Sequence, residues 1–240
     1  MKLFNYRFLF MGLFGVLGTF FSDCAHMTYS DVNAKDQFGD TPLIHEAELG
    51  QIEGVKEILD RGADINSQGS YGGTALYWAA NGRQKDMVVF LIQRGAKIDI
   101  KNEEGKTALM FISGREEIDK DDVEIAKLLI ENGAQVNTKD HYQNTPLIDA
   151  VLKGHFEMVK LLVENGANIY YRDERGKTAL ELAKEKQYQE IVDYLEKRPV
   201  NVVDQMKAKA SYIINEAEEA VGAAVVGGWL SIAGMGSKIR

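Results

Sequence analysis

The chain has few of the residues from which disulfide-bonded, metal-binding and catalytic sites are built. Its 240 residues include one cysteine and four histidines. A single cysteine excludes an intramolecular disulfide and the cysteine–histidine clusters of structural zinc sites. No serine or cysteine lies in a motif that would pair a nucleophile with a histidine, and neither a Walker motif nor a phosphate-binding glycine loop occurs. The sequence therefore predicts no enzymatic activity, no cofactor and no metal.

Positive charge is also scarce. Lys and Arg number 28 against 36 Asp and Glu, which gives a net charge of −8 and a pI near 5.1. Because nucleic-acid-binding proteins cluster Lys and Arg on one face, DNA and RNA are not expected partners. Acidic pairs such as Asp121-Asp122 lack the D-x-D-x-D-G spacing of a calcium loop, and we interpret them as solvated loop charges.

The first 24 residues differ in composition from the rest. Lys2 and Arg7 precede 15 residues without a charge, Phe8–Ser22, a pattern typical of a secretory signal peptide. This run is short against the roughly 20 residues that cross a bilayer, which disfavours a retained membrane anchor. We therefore expect an exported protein that is periplasmic, anchored in the bacterial cell envelope or secreted.

The chain's one cysteine is the last residue of this segment. The sequence Phe21-Ser22-Asp23-Cys24 resembles the lipobox of bacterial lipoproteins, in which the cysteine becomes the lipidated first residue. A lipobox normally has an aliphatic residue where Phe21 stands and a small residue where Asp23 stands, so plain secretion is the alternative. The resemblance implies lipidation at Cys24 and a membrane contact through that lipid. Residues 25–35 are predicted to form a polar linker.

The stretch 140–167, DHYQNTPLIDAVLKGHFEMVKLLVENGA, carries the signals of two short helices. Thr145-Pro146 begins the first helix, with threonine as N-cap and proline at the tolerated first position. Gly154 ends that helix, and Asn165-Gly166 ends the second as a C′ glycine does. Helices this short are not stable alone in water, so the unit needs neighbours of its own kind.

Both signals recur along the chain. The helix-starting threonines are spaced by 33, 33, 38 and 33 residues and are Thr41, Thr74, Thr107, Thr145 and Thr178. The second-helix glycines recur in step as Gly62, Gly95, Gly133 and Gly166. This period and these motifs resemble the ankyrin repeat. The resemblance implies an all-α solenoid of about five helix-turn-helix repeats with short hairpin turns, in a domain of residues 36–198. The predicted repeats are 36–66, 67–99, 100–137, 138–170 and 171–197.

Parts of this array depart from the pattern. Glu46 replaces a small residue in the first repeat, and the fifth repeat is strongly polar; both are typical of end repeats, which have solvent on one side. The third repeat carries five extra residues, which we place in Ser113–Asp122 and expect to be charged and exposed. They are interpreted either as a tolerated surface insertion or as a dedicated contact loop.

Beyond residue 198 the repeat pattern stops. Apolar residues from Val203 to Val221 recur at helical spacing and predict an amphipathic helix. Ala220–Ser237 contains no charge but five glycines. The tail of residues 199–240 is thus a helix packed on the last repeat, a membrane-associating segment or a flexible end. The membrane interpretation implies an alternative function, a secreted or membrane-active effector that acts through this tail.

Ankyrin-repeat proteins bind other proteins through a concave surface of hairpin tips and first helices. The resemblance therefore implies a non-enzymatic module that binds a protein partner in the envelope or outside the cell. Phe38, Tyr71 and Tyr142 hold one tip position in repeats 1, 2 and 4. Folding gives an aromatic little to bury at such a tip, whereas aromatics commonly anchor interfaces.

Three further residues complete the predicted partner-binding set. Glu104 and Arg175 are tip residues of repeats 3 and 5. Trp78 lies on the first helix of repeat 2, where it either fills the space between repeats or faces the groove. The sequence does not identify the partner.

Overall fold

The computed structural model describes residues 31–198. Within this range ten α-helices follow one another in five pairs, no β-strand forms, and one isolated bridge joins Arg172 to Thr178. None of these helices has the length and apolar character needed to cross a membrane. The predicted signal peptide, Cys24 and the tail of residues 199–240 lie outside the described residues.

We number the helices in chain order and the pairs from 1 to 5. The pairs are α1 (Pro42–Glu48) with α2 (Ile52–Asp60), α3 (Ala75–Asn81) with α4 (Lys85–Gln93), α5 (Ala108–Ser113) with α6 (Lys120–Glu131), α7 (Pro146–Lys153) with α8 (Phe156–Glu164), and α9 (Ala179–Glu185) with α10 (Gln189–Glu196).

Threonine begins the first helix of every pair, as predicted. In pairs 2 to 5 its hydroxyl accepts the backbone N–H three residues later, which satisfies one of the N–H groups that a helix start leaves without a partner. Thr41 takes the same N-cap position in pair 1 without a side-chain cap bond, and Pro42 follows it. The N-cap signal therefore positions all five hairpins relative to their helices.

Glycine ends the second helix of pairs 1 to 4, also as predicted. Gly62, Gly95, Gly133 and Gly166 have φ between +87° and +99°, in the left-handed region where other residues are strained. Each glycine lets the chain leave the helix and turn back toward the next hairpin.

The helices bury their apolar faces against neighbouring pairs. The first helices stack in the order α1, α3, α5, α7, α9, and the second helices α4, α6, α8 and α10 stack likewise. The buried leucines Leu43, Leu76, Leu109 and Leu147 repeat at one position of the first helices and belong to a single continuous core. No helix pair has a core of its own, so each pair is stable only in the stack.

A ladder of side-chain hydrogen bonds joins the turns that follow the second helices. In each step an Asn or Asp side chain accepts a backbone N–H from the next pair, at donor–acceptor distances of 2.7 to 3.2 Å. The steps are Asn33 to Asp64, Asn66 to Lys97, Asp99 to Gln135, and Asn137 to Asn168. The ladder helps to hold pairs 1 to 4 at a regular spacing.

This ladder extends into the predicted linker of residues 25–35, of which the structure describes residues 31–35. Val32 is buried in the common core, and Asn33 makes the first step of the ladder. Val32-Asn33 occupies the place that Ile65-Asn66 and Val136-Asn137 hold later in the chain. The packed array therefore begins before residue 36, and that match between positions was the sequence signal for it.

The segment Ser113–Asp122 is only partly the exposed loop that the sequence predicted, because its two end residues are buried. Ser113 ends α5 and is buried, with its hydroxyl donating to the Leu109 carbonyl at 2.8 Å. Asp122 is also buried, because α6 has 12 residues where α2, α4 and α8 have nine. The insertion thus lengthens both the loop between α5 and α6, residues 114–119, and the N-terminal end of α6, and Glu116 and Glu117 are among its exposed residues.

Asp122 holds this extension against pair 2. Its Oδ2 accepts Nε and Nη2 of Arg83 at 3.0 and 2.8 Å and the Asp119 N–H at 3.0 Å. Arg115 Nη1 lies 3.0 Å from its Oδ1, an ion pair without hydrogen-bond geometry. The hydrogen bonds to Asp122 raise the pKa of Arg83 above its usual value. Two guanidinium groups therefore compensate the charge of one buried carboxylate.

We predict that Asp122→Ala lowers the free energy of unfolding by about 3 kcal/mol, because it leaves the largely buried Arg115 without its counter-charge. Urea unfolding followed by circular dichroism measures this change. Asp121→Ala, in the same helical turn but exposed, is the matched control and should cost under about 0.5 kcal/mol. Equal stabilities of the two variants would show that the buried ion pair does not stabilise the stack.

We also predict that Gly133→Val destabilises the protein by about 1–2 kcal/mol. A Cβ at Gly133 meets no atom within 4 Å, so the cost comes only from the backbone, which has φ +99°. Gly133→Asn should cost clearly less, since asparagine tolerates the left-handed region. Thermal unfolding of both variants tests the prediction, and an unchanged melting temperature for the valine variant contradicts it.

Candidate functional site

In four of the five pairs, the side chain of one residue at the base of the hairpin turn closes that turn. In pair 1, Oδ1 of Asp36 accepts the N–H of Phe38 and of Asp40 at 2.8 and 2.9 Å. The same two bonds are made by Asn102, Asp140 and Asp173, each five residues before its threonine. We call these four side chains the base residues. Pair 2 has Gly69 at this place.

Backbone hydrogen bonds join one hairpin tip to the next. The N–H groups of Glu103, His141 and Glu174 donate to the carbonyl of a tip residue in the preceding pair, at 2.9, 3.1 and 3.2 Å. Between pairs 1 and 2 the Asp40 carboxylate accepts the Ser70 N–H at 2.8 Å instead. The five tips are therefore held in register along one edge of the stack.

The side chains at the centre of these tips form what we call the tip row: Phe38, Tyr71, Glu104, Tyr142 and Arg175. Its three aromatic members are 62, 53 and 52% exposed. Among the described residues one other large apolar side chain is this exposed, Leu49 at 52%, and it lies at the end of α1. Three of these four exposed side chains thus stand at one repeat position.

The charged members of the tip row are exposed as well. Glu104 lies between Tyr71 and Tyr142 in the row, and Lys106 Nζ is 3.5 Å from its carboxylate. Arg175 Nε is 3.3 Å from Oδ2 of Asp173. The row therefore combines an apolar surface with one acid and one base.

Comparison with known families identifies this architecture. A family model described as "Ankyrin repeats (3 copies)" matches residues 17–102, 84–173 and 117–205, which together span most of the chain. The chain belongs to the ankyrin-repeat family. No curated protein matches it at a significant level. Ankyrin repeats are generally protein–protein interaction modules and typically non-enzymatic scaffolds.

Trp78 is not available to a partner, which corrects its assignment to the binding set. Only 3% of it is exposed, and its ring packs edge-on to Tyr77 at 5.6 Å inside the ankyrin stack. A Cβ on Gly73 would lie 2.5 Å from the indole Nε1. Pair 2 therefore needs glycine at this position, where the other pairs have larger residues, to make room for the buried indole.

Two buried acids of pair 4 were not predicted from the sequence. Asp149 on α7 is 6% exposed and the base residue Asp140 is 3% exposed, and Oδ2 of each accepts no hydrogen bond. Burial raises the pKa of Asp149 to about 7. Asp149 stands four residues after its threonine, where α3 and α5 have Trp78 and Phe111. This contrast between repeats was the available signal.

Pair 1 brings together Asp36, Asp40 and His45, whose ligand atoms lie within 4.8 Å of one another. Each carboxylate is already used. Asp40 accepts the backbone N–H and hydroxyl of Ser70, and Asp36 Oδ2 lies 3.0 Å from His45 Nε2. Asp36 closes the turn of pair 1 and Asp40 joins that turn to the next tip, which accounts for the clustering of these side chains.

Proposed function

We propose that the tip row binds a protein partner. The observation that carries this proposal is the concentration of exposed aromatic side chains at one repeat position, on Phe38, Tyr71 and Tyr142. Aromatic side chains bury a large area with few rotatable bonds, which makes them effective interface anchors. A row of them on a protein of a family that binds proteins supports an interface at the tips.

The backbone of the tips supports the same proposal. Base residues close the turns, and hydrogen bonds between pairs keep neighbouring tips in register. Side chains held in place before binding lose less conformational entropy when the complex forms. The row is therefore a pre-organised surface.

The row also indicates what kind of surface the partner presents. Glu104 lies between two tyrosines and is exposed, so a basic group opposite it would gain an ion pair and the face of an aromatic ring. Arg175 at the end of the row suits an acidic or carbonyl-rich group. We infer an apolar partner surface that carries a basic residue near its centre.

We further propose that the protein is exported and carries lipid on Cys24. The charged start, the uncharged run Phe8–Ser22 and the cysteine two positions after that run support this proposal. A lipid anchor would hold the ankyrin domain at a membrane surface and leave the tip row free for a partner.

We predict that replacing Phe38, Tyr71 and Tyr142 together by Ala weakens binding of the captured partner by about 30-fold or more, because one interface anchor can contribute about 2 kcal/mol. The partner is first isolated by affinity capture from envelope extracts, and calorimetry then measures its affinity. The melting temperature should hardly change, since exposed side chains contribute little to the core.

Leu49→Ala is the matched control, because Leu49 is equally exposed but lies outside the tip row. It should leave the affinity unchanged. Unchanged binding by the triple variant would exclude the tip row. Loss of binding on deletion of residues 199–240, with the triple variant still active, would support the alternative that the tail carries the function.

For Cys24, we predict that intact-mass analysis of the mature protein shows a lipid-modified cysteine as its first residue. Cys24→Ser should move the protein from the membrane fraction to the soluble fraction, because the acyl chains supply about 0.8 kcal/mol of membrane affinity per buried CH₂. An unmodified first residue in the mature protein would leave plain secretion.

A further inference from the structure

The base residues differ in what their second side-chain atom contacts. Asp36 Oδ2 lies 3.0 Å from His45 Nε2, Asp173 Oδ2 lies 3.3 Å from Arg175 Nε, and Asn102 Nδ2 donates to the Tyr77 hydroxyl at 3.4 Å. Asp140 Oδ2 has no such contact. Among the four base residues in the described part of the chain, the one in pair 4 therefore lacks a partner for this atom.

An acid replaces the missing donor in pair 4. His45 and Asp149 both stand four residues after the threonine of their pair, so Asp149 occupies the place from which His45 reaches Asp36. Asp149 Oδ2 is buried without a hydrogen bond as well. Both carboxylates are buried, and the negative charge of Asp140 raises the pKa of Asp149. Ionising both at once is therefore costly.

We propose that Asp140 and Asp149 form a proton-binding switch: with one proton bound, Asp149 supplies the donor that Asp140 lacks, and loss of that proton loosens the junction between tips 3 and 4. The proton comes from solvent and returns to it. We call these two residues the acid pair. The proposal does not depend on the identity of a partner.

The charges around the acid pair do not remove the need for a proton. Burial is the largest cause that raises the Asp149 pKa; Lys106 and Lys153 lower it, Asp140 and Glu104 raise it, and together these influences place it at about 7. Both lysines already pair with other acids: Lys106 Nζ lies 3.5 Å from Glu104, and Lys153 Nζ lies 2.6 Å from Glu116.

The sign of the pH effect follows from the raised pKa. In the unfolded chain Asp149 has its ordinary pKa near 3.8, and in the folded protein the value is about 7. The folded state therefore holds more protons between these values, and the stability that the proton contributes is lost as the pH rises through about 7. Below pH 4 this contribution is fully present.

The acid pair is connected directly to the tip row. Oδ1 of Asp140 accepts the N–H of Tyr142 and of Asn144, both at 2.9 Å. The adjacent His141 N–H donates to the Glu104 carbonyl at 3.1 Å, the bond that joins tips 3 and 4. Repulsion between two ionised carboxylates would therefore act on the backbone that places Tyr142 beside Glu104.

The test is a carboxyl-carbon NMR titration of the full chain from pH 4 to 9, a signal to which histidine side chains do not contribute. We expect Asp149 to titrate near pH 7. Asp140→Asn should lower that midpoint by at least one pH unit, because it removes a negative neighbour and supplies an amide donor. Asn102 shows that asparagine closes this turn equally well. Asp173→Asn is the matched control and should leave the midpoint unchanged.

Amide hydrogen exchange tests the loosening itself. Between pH 6 and 8 the protection factor of the His141 amide should fall at least five-fold in the natural protein and stay constant in Asp149→Asn, whose amide supplies the donor at every pH. Titration of Asp149 below pH 5, an unchanged midpoint in Asp140→Asn, or constant His141 protection in the natural protein would each overturn the proposal.

Discussion

The structure depends on one constraint, which is that no helix pair can bury its apolar face alone. The helices have between six and 12 residues, too few to be stable in water, and their leucines reach a closed core only when the next pair covers them. Stacking is therefore required for folding. It also repeats the hairpin turn at a fixed spacing, and polar ladders such as Asn66 to Lys97 maintain that spacing.

The same constraint separates the surfaces that are buried by packing from those that remain exposed to solvent. The apolar faces of the helices are buried against neighbouring pairs, whereas the hairpin tips project from the stack and contribute little to its core. Exposed aromatic residues at the tips, such as Phe38 and Tyr142, support the proposal that a partner binds there. The acid pair lies between the core and the tips. The Asp140 side chain is buried, its Oδ2 has no hydrogen-bond donor, and its Oδ1 accepts backbone N–H groups of the tip of pair 4.

Sequence alone predicted the features that depend on local spacing. The threonines and glycines placed helix starts and ends, and the tip position predicted the exposure of Phe38. Burial that depends on a distant repeat was not predictable in this way. Asp122 looked like a solvated loop charge because Arg83, its partner, lies 39 residues earlier. Trp78 is buried because Gly73 leaves space for its indole, which neither residue reveals by itself.

The most direct test of the central claim is a hydrogen-exchange footprint of the protein with and without its captured partner. The tip row as the binding surface predicts increased protection at the five hairpin turns, residues 36–40, 69–73, 102–106, 140–144 and 173–177, with little change on the second helices. Protection confined to the second helices, to residues 114–119 or to the region beyond residue 198 would contradict it.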